Sequence, residues 1–117
     1  MISSFRELIV WQKSFDLTVR VYFLTSKLPT SEKRGLTDQM RRCAVSIPSN
    51  IAEGQQRNNR KEYRQFLGIA RGSAGELETQ LLLVEKIYKL DVTTTVAIVH
   101  ELQKMLLVMR NKLGQTN

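Results

Sequence analysis

Residues 63–88 read YRQFLGIARGSAGELETQLLLVEKIY. Apolar or small side chains recur at Tyr63, Leu67, Ala70, Ala74, Leu77, Leu81, Val84 and Tyr88, in alternating steps of four and three. This spacing describes a coiled-coil-like seam along one side of a helix, expected from about Asn59 to Leu90. Asn58 or Asn59 is placed to cap its start, with Glu62 near the first turn. Gly68, Gly72 and Gly75 lie beside the seam, and each costs about 1 kcal/mol of helix propensity relative to alanine. Their presence predicts a close backbone approach by another helix, from this chain or a neighbouring subunit.

The flanking segments supply helices to cover the seam. Upstream, Leu36, Met40, Cys43, Ile47 and Ile51 share a face, predicting a helix from about Lys33 to Glu53. Pro48 falls inside that pattern. It lacks an N–H and crowds the Ala44 carbonyl, so a kink or local widening is expected there, with Gly54 as the C-terminal stop. Nearer the start, Val10, Ser14, Leu17, Val21, Leu24 and Leu28 form one stripe, and Trp11, Phe15, Thr18 and Tyr22 the adjacent one. Together they predict a helix from about Arg6 to Lys27 with a wide buried face, ended by Leu28-Pro29. Downstream, Val96, Val99, Leu102, Leu106, Met109 and Leu113 predict a fourth helix from about Thr93 to Leu113. Asp91 or Thr93 suits its cap, Arg110 and Lys112 suit the negative end of its dipole, and Gly114 its end. No segment has the period-2 alternation of a strand.

Four amphipathic helices with short joints make an all-α, antiparallel up-down-up-down four-helix bundle, with one domain over residues 1–117. No apolar run approaches the roughly 18 residues of a membrane span. The opening MISSFRELIVW has no secretory signal pattern, and the lone Cys43 has no disulfide partner, so a cytoplasmic location is expected.

The formal net charge is +7. Between Lys33 and Arg71, nine basic residues face three acidic ones, a local balance of +6. Such a field is either a solvated surface or the footprint of an anionic partner. Arg57, Lys61, Arg64 and Arg71 follow steps that line one side of the third helix, and Arg60 shares a face with Arg64. Arg41 and Arg42 precede Pro48 on the antiparallel neighbour. The expected result is a basic strip on helices 2 and 3, suited to phosphate backbones of RNA or DNA. Few aromatic residues punctuate it, which points to backbone or shape recognition and not base stacking.

Catalytic constellations are not apparent. His100 is the only histidine, and no Glu-x-x-His pair of the di-iron type is present. Cys43 lies on an apolar stripe, where a free cysteine is usually a small hydrophobe. Glu76 and Glu78 point about 200° apart on a helix. Glu53 suits a salt bridge to an arginine of the next helix. No cofactor or metal is expected, and no enzymatic role.

LTDQMRRCAVSIPSNIAEG (36–54), followed by KEYRQFLGIARGSAGELETQL (61–81), resembles the bacterial four-helix-bundle proteins also called 23S rRNA-intervening sequence proteins. LIVWQKSFDL and LTSKLP fit the same family. The resemblance implies a four-helix bundle assembling as a ring-like homopentamer. It also implies kinship with the accessory variability determinants of diversity-generating retroelements, which bind a reverse transcriptase and nucleic acid through a basic surface. Arg41 and Arg42 match the family's basic pair before the proline, and Arg57 to Lys61 its basic region after the glycine. Arg71 stands where many members are uncharged. The expected function is therefore a non-enzymatic, oligomeric bundle binding nucleic acid through Arg41, Arg42, Arg57, Arg60, Lys61, Arg64 and Arg71. The alternative is a scaffold that docks an acidic or polymerase-like protein.

Overall fold

Apolar side chains at helical spacing leave each segment one face to bury, and the observed architecture pairs those faces. The structure, a computed structural model, describes residues 4–114. They form α1 (Ile9–Thr25), α2 (Leu36–Gln55), α3 (Arg60–Tyr88) and α4 (Thr93–Gly114), with single 3-10 turns at Phe5–Glu7 and Thr30–Glu32. Each helix packs on its sequence neighbours, α4 closes against α1, and the backbones of diagonal pairs do not approach each other closely. The bundle measures 50 × 20 × 19 Å. One pole carries the start of α1, the end of α2, the start of α3 and the end of α4.

The seam of α3 is the spine of the core. Leu67, Ala70, Ala74, Leu77, Leu81 and Val84 are buried, with Tyr63 and Tyr88 half-buried at the ends. Leu17, Val21, Met40, Ile47, Ile51, Leu102 and Leu106 fill the space opposite. The expected caps are present: Asn59 accepts from the Glu62 N–H at 3.0 Å, and Asp91 from the Thr93 N–H at 3.0 Å.

Three expectations are corrected. The helix-ending role given to Gly54 fails, because α2 continues through it to Gln55. Gly54 instead sits where α2 packs tightly on α3: a Cβ there would lie 2.9 Å from both the Phe66 Cβ and the Tyr63 Cδ1. Within the chain, no close backbone approach is made at the α3 glycines. The space over Gly68 holds the Arg110 guanidinium, Gly75 faces the Gln103 amide, and nothing lies within 4 Å of a Cβ at Gly72. Finally, only one of the two α1 stripes is buried. Val10, Ser14, Leu17 and Val21 enter the core, while Phe15 and Tyr22 stay nearly half exposed. Two neighbouring helices cannot cover so wide an apolar face.

Pro48 sits inside α2 without ending it. Its missing N–H leaves the Ala44 carbonyl without a helical partner. The Thr18 hydroxyl reaches that carbonyl from α1 at 3.0 Å, sharing its hydrogen with the Ser14 carbonyl at 2.8 Å. Thr18→Val is therefore expected to cost about 1–2 kcal/mol by orphaning that carbonyl. In a Pro48→Ala background the helix supplies its own donor, and the Thr18→Val cost shrinks. Urea unfolding of the four chains checks this coupling.

At the opposite pole, the Glu32 carboxylate joins α2 to α3. It accepts from the Leu36 N–H at 3.2 Å and from the Tyr88 hydroxyl. The Tyr88 bond first, then the Leu36 bond, holds the Glu32 carboxyl below its usual value. A carboxyl lowered on folding stabilises the fold above its unfolded value, and the contribution is lost as pH falls through the folded one. Thermal stability should thus decline from about pH 5 to about pH 3, and decline less in Glu32→Gln. Melting curves followed by circular dichroism across that range test it. Asp91, lowered by its bond from the Thr93 backbone, retains its own share in the variant.

Candidate nucleic-acid interface

The predicted basic residues fall into separate settings. Arg41 turns toward α1: its Nε donates to the Thr25 Oγ1 at 2.9 Å and its Nη2 to the Tyr22 carbonyl at 3.3 Å. Its guanidinium lies 4.5 Å above the Tyr22 ring. Arg42, on the other side of α2, is held by Asp38 one turn earlier at 3.0 Å. Both sit about 20 Å along α2 from its C-terminal end. Arg71 is half-buried about 16 Å up α3 from its first residue, its Nε enclosed without a hydrogen-bond partner. A continuous strip on α2 and α3 is therefore not what these residues form.

The others gather at the pole where α2 ends. Arg57 lies in the joint before α3, bridged to Glu53 at 3.0 Å and stacked 5.1 Å from the Phe66 ring centre. This is the Glu53 ion pair expected from the sequence, made with the joint and not with the next helix. Arg60 Nη2 donates to the Lys112 carbonyl in the last turn of α4 at 2.8 Å. Lys61 is exposed. Arg64 lies over Gly114, where a Cβ would stand 2.9 Å from its Nε. Arg110 completes the group: its Nε donates to the Arg64 carbonyl at 3.3 Å and rests on Gly68. Arg60 and Arg110 thus tie α3 to α4 and hold cationic groups side by side. Among the described residues, no carboxylate lies within salt-bridge distance of Arg64 or Arg110.

The remaining reactive groups are accounted for structurally. The Cys43 Sγ donates to the Ser73 carbonyl at 3.0 Å. Burial, with the Glu76 charge adding to it, pushes the thiol up to about 12, so no appreciable thiolate exists near neutral pH. His100 is exposed and meets Glu78 across the α3–α4 face at 2.8 Å. Among the described residues, no three His, Cys, Asp or Glu side chains come together as a metal site. None of the helices is long and apolar enough to cross a membrane.

Residues 6–110 match the family profile of the 23S rRNA-intervening sequence proteins. The chain belongs to that family. A similar solved structure is a protein of unknown function from the S23 ribosomal protein family of Bacteroides thetaiotaomicron. It is 26% identical, aligns over 87% of this chain and 98% of its own, and superposes with a TM-score of 0.79. Comparison with curated proteins gave no match. On the sequence alone, Arg110 and Lys112 suit only the dipole of α4. Their place beside Arg60 and Arg64 follows from topology, since in an up-down bundle the end of the fourth helix adjoins the start of the third.

Proposed function

We propose that this protein is a non-enzymatic, oligomeric bundle that binds the phosphate backbone of RNA or DNA at its basic pole. One observation carries the reading: Arg57, Arg60, Lys61, Arg64, Arg110 and Lys112 converge from three segments onto that end, against Glu7, Glu53 and Glu62. Cations spread along two helix termini and a joint suit a phosphate backbone, whose charges recur along its length. Relative to the expected strip, Arg41, Arg42 and Arg71 move to the margin of the site. The test is binding of structured RNA and duplex DNA as a function of salt, in native and charge-reversed protein. Absence of binding at low salt sinks the reading.

Self-association is the second part of the proposal. It rests on the exposed apolar surface of α1, where Phe23, beside the second stripe, is 71% and Phe15 49% accessible, with no cover in the single chain. The pentamer of the family resemblance is one state that such a surface serves. Light scattering at micromolar concentration decides between assembly and monomer. The scaffold alternative, a basic pole docking an acidic or polymerase-like protein as in the retroelement relatives, is separated by partner capture that survives nuclease treatment.

A further inference from the structure

The exposed α1 stripe is one wall of a groove. Phe15, Val19, Tyr22 and Phe23 of α1 face Val45 and Pro48 of α2 across a cavity of about 550 Å³. A groove is not complementary to itself, so its natural counterpart is a ridge. The chain carries one. Ile69, Leu83 and Ile87 are about half exposed on α3, the helix diagonal to α1. They recur at steps of fourteen and four, which aligns them along one outward line about 27 Å long, with exposed Glu76 midway between Ile69 and Leu83. The groove lined on α1 from Trp11 to Phe23 is about 18 Å long, so it accommodates much of that ridge.

Charge matches shape. Arg41 stands beside the groove, over Tyr22, and no carboxylate lies within salt-bridge distance of it among the described residues. Among the described residues, Glu76 makes a long contact of 3.5 Å, from the Gln80 amide, and no ion pair. We infer that the α3 ridge of one copy seats in the α1–α2 groove of a second copy, with Glu76 directed to Arg41. This rests on the self-association proposed above and names the two surfaces that meet. Because they are different surfaces, the contact is head-to-tail. Each copy keeps one free groove and one free ridge until a ring closes. The basic pole, built from helix ends, stays outside the contact and is repeated around such a ring. Repetition raises the avidity for a long polyanion without any new kind of interaction.

The experiment uses full-length chains carrying different tags, one Val19→Cys and one Leu83→Cys, mixed under mild oxidation. Buried Cys43 is a silent background. The expected product is a mixed disulfide dimer of the two variants, with little product from either variant alone. A Val19→Cys homodimer would mean groove-to-groove docking and overturn the ridge assignment, while leaving self-association standing. Monomers throughout, by light scattering, overturn self-association itself. In parallel, Arg41→Glu and Glu76→Arg should each weaken assembly by about tenfold, and the double exchange should restore it. Circular dichroism confirms that each variant is folded. A double variant no better than either single one removes the Glu76–Arg41 pairing.

Discussion

Gly54→Val is expected to lower the unfolding free energy by about 3 kcal/mol, the upper end of the cost of overpacking a core. The new Cβ would stand 2.9 Å from the Phe66 Cβ and the Tyr63 Cδ1, and 3.3 Å from the Tyr63 carbonyl oxygen. The Phe66 Cβ is fixed to the α3 backbone, so no side-chain rotation relieves the clash. The helices must part, and Ile51 and Leu67 pack less tightly on the core side. Gly54→Ala is milder, since alanine regains about 1 kcal/mol of helix propensity against the same clash. Gly72→Ala is the control. It adds the same methyl group where nothing lies within 4 Å, and should stabilise the protein by up to about 1 kcal/mol. Urea unfolding at one fixed protein concentration measures all three, because assembly contributes to apparent stability. A Gly54→Val chain as stable as the native one would mean that the α2–α3 approach is looser than described.

Reversing Arg60, Lys61 and Lys112 to Glu together is expected to reduce RNA or DNA affinity by at least two orders of magnitude at about 50 mM salt. All three side chains are exposed, and Arg60→Glu also gives up the bond to the Lys112 carbonyl, so circular dichroism is run beside the binding assay to confirm that the triple variant is folded. The slope of log affinity against log salt should fall by about three, one for each phosphate that is no longer neutralised. Arg42→Glu, about 20 Å away along α2, should change binding far less. Filter binding or fluorescence anisotropy over a salt series provides both numbers. Equal losses of affinity for the pole triple and for Arg42→Glu would restore the broader strip read from the sequence. No loss in either would leave the pole as a solvated surface.

The contrast between these variants shows which features were legible in the sequence. The steps of four and three from Tyr63 to Tyr88 located α3 and its buried side, because a helix has one period and a bundle core one direction. Boundaries slipped by a few residues where local bonding decided them. α1 stops at Thr25, where the Thr25 and Ser26 hydroxyls turn back to the Val21 and Phe23 carbonyls at 2.7 and 2.6 Å. α2 begins at Leu36, where Glu32 supplies the acceptor for its first N–H. Gly54 misled the reading because a glycine at a helix end and one at a helix crossing look alike until the neighbour is known.

By itself, the sequence determined four amphipathic helices, the all-α bundle, caps narrowed to Asn58 or Asn59 and to Asp91 or Thr93, and the burial of Cys43. All of these follow from spacing and residue chemistry within one helix or one joint. Only the tertiary structure decided which cations stand together. Arg41 and Arg42 are adjacent in the chain but point about 100° apart on α2, toward Tyr22 and toward Asp38. Arg60 and Lys112 are far apart in the chain yet share a hydrogen bond. Charge is a property of the residue, but a binding surface depends on the rotation and register of whole helices. Those are set by the packing of Leu67, Leu77 and Leu81 against their neighbours, apolar side chains that carry no charge of their own.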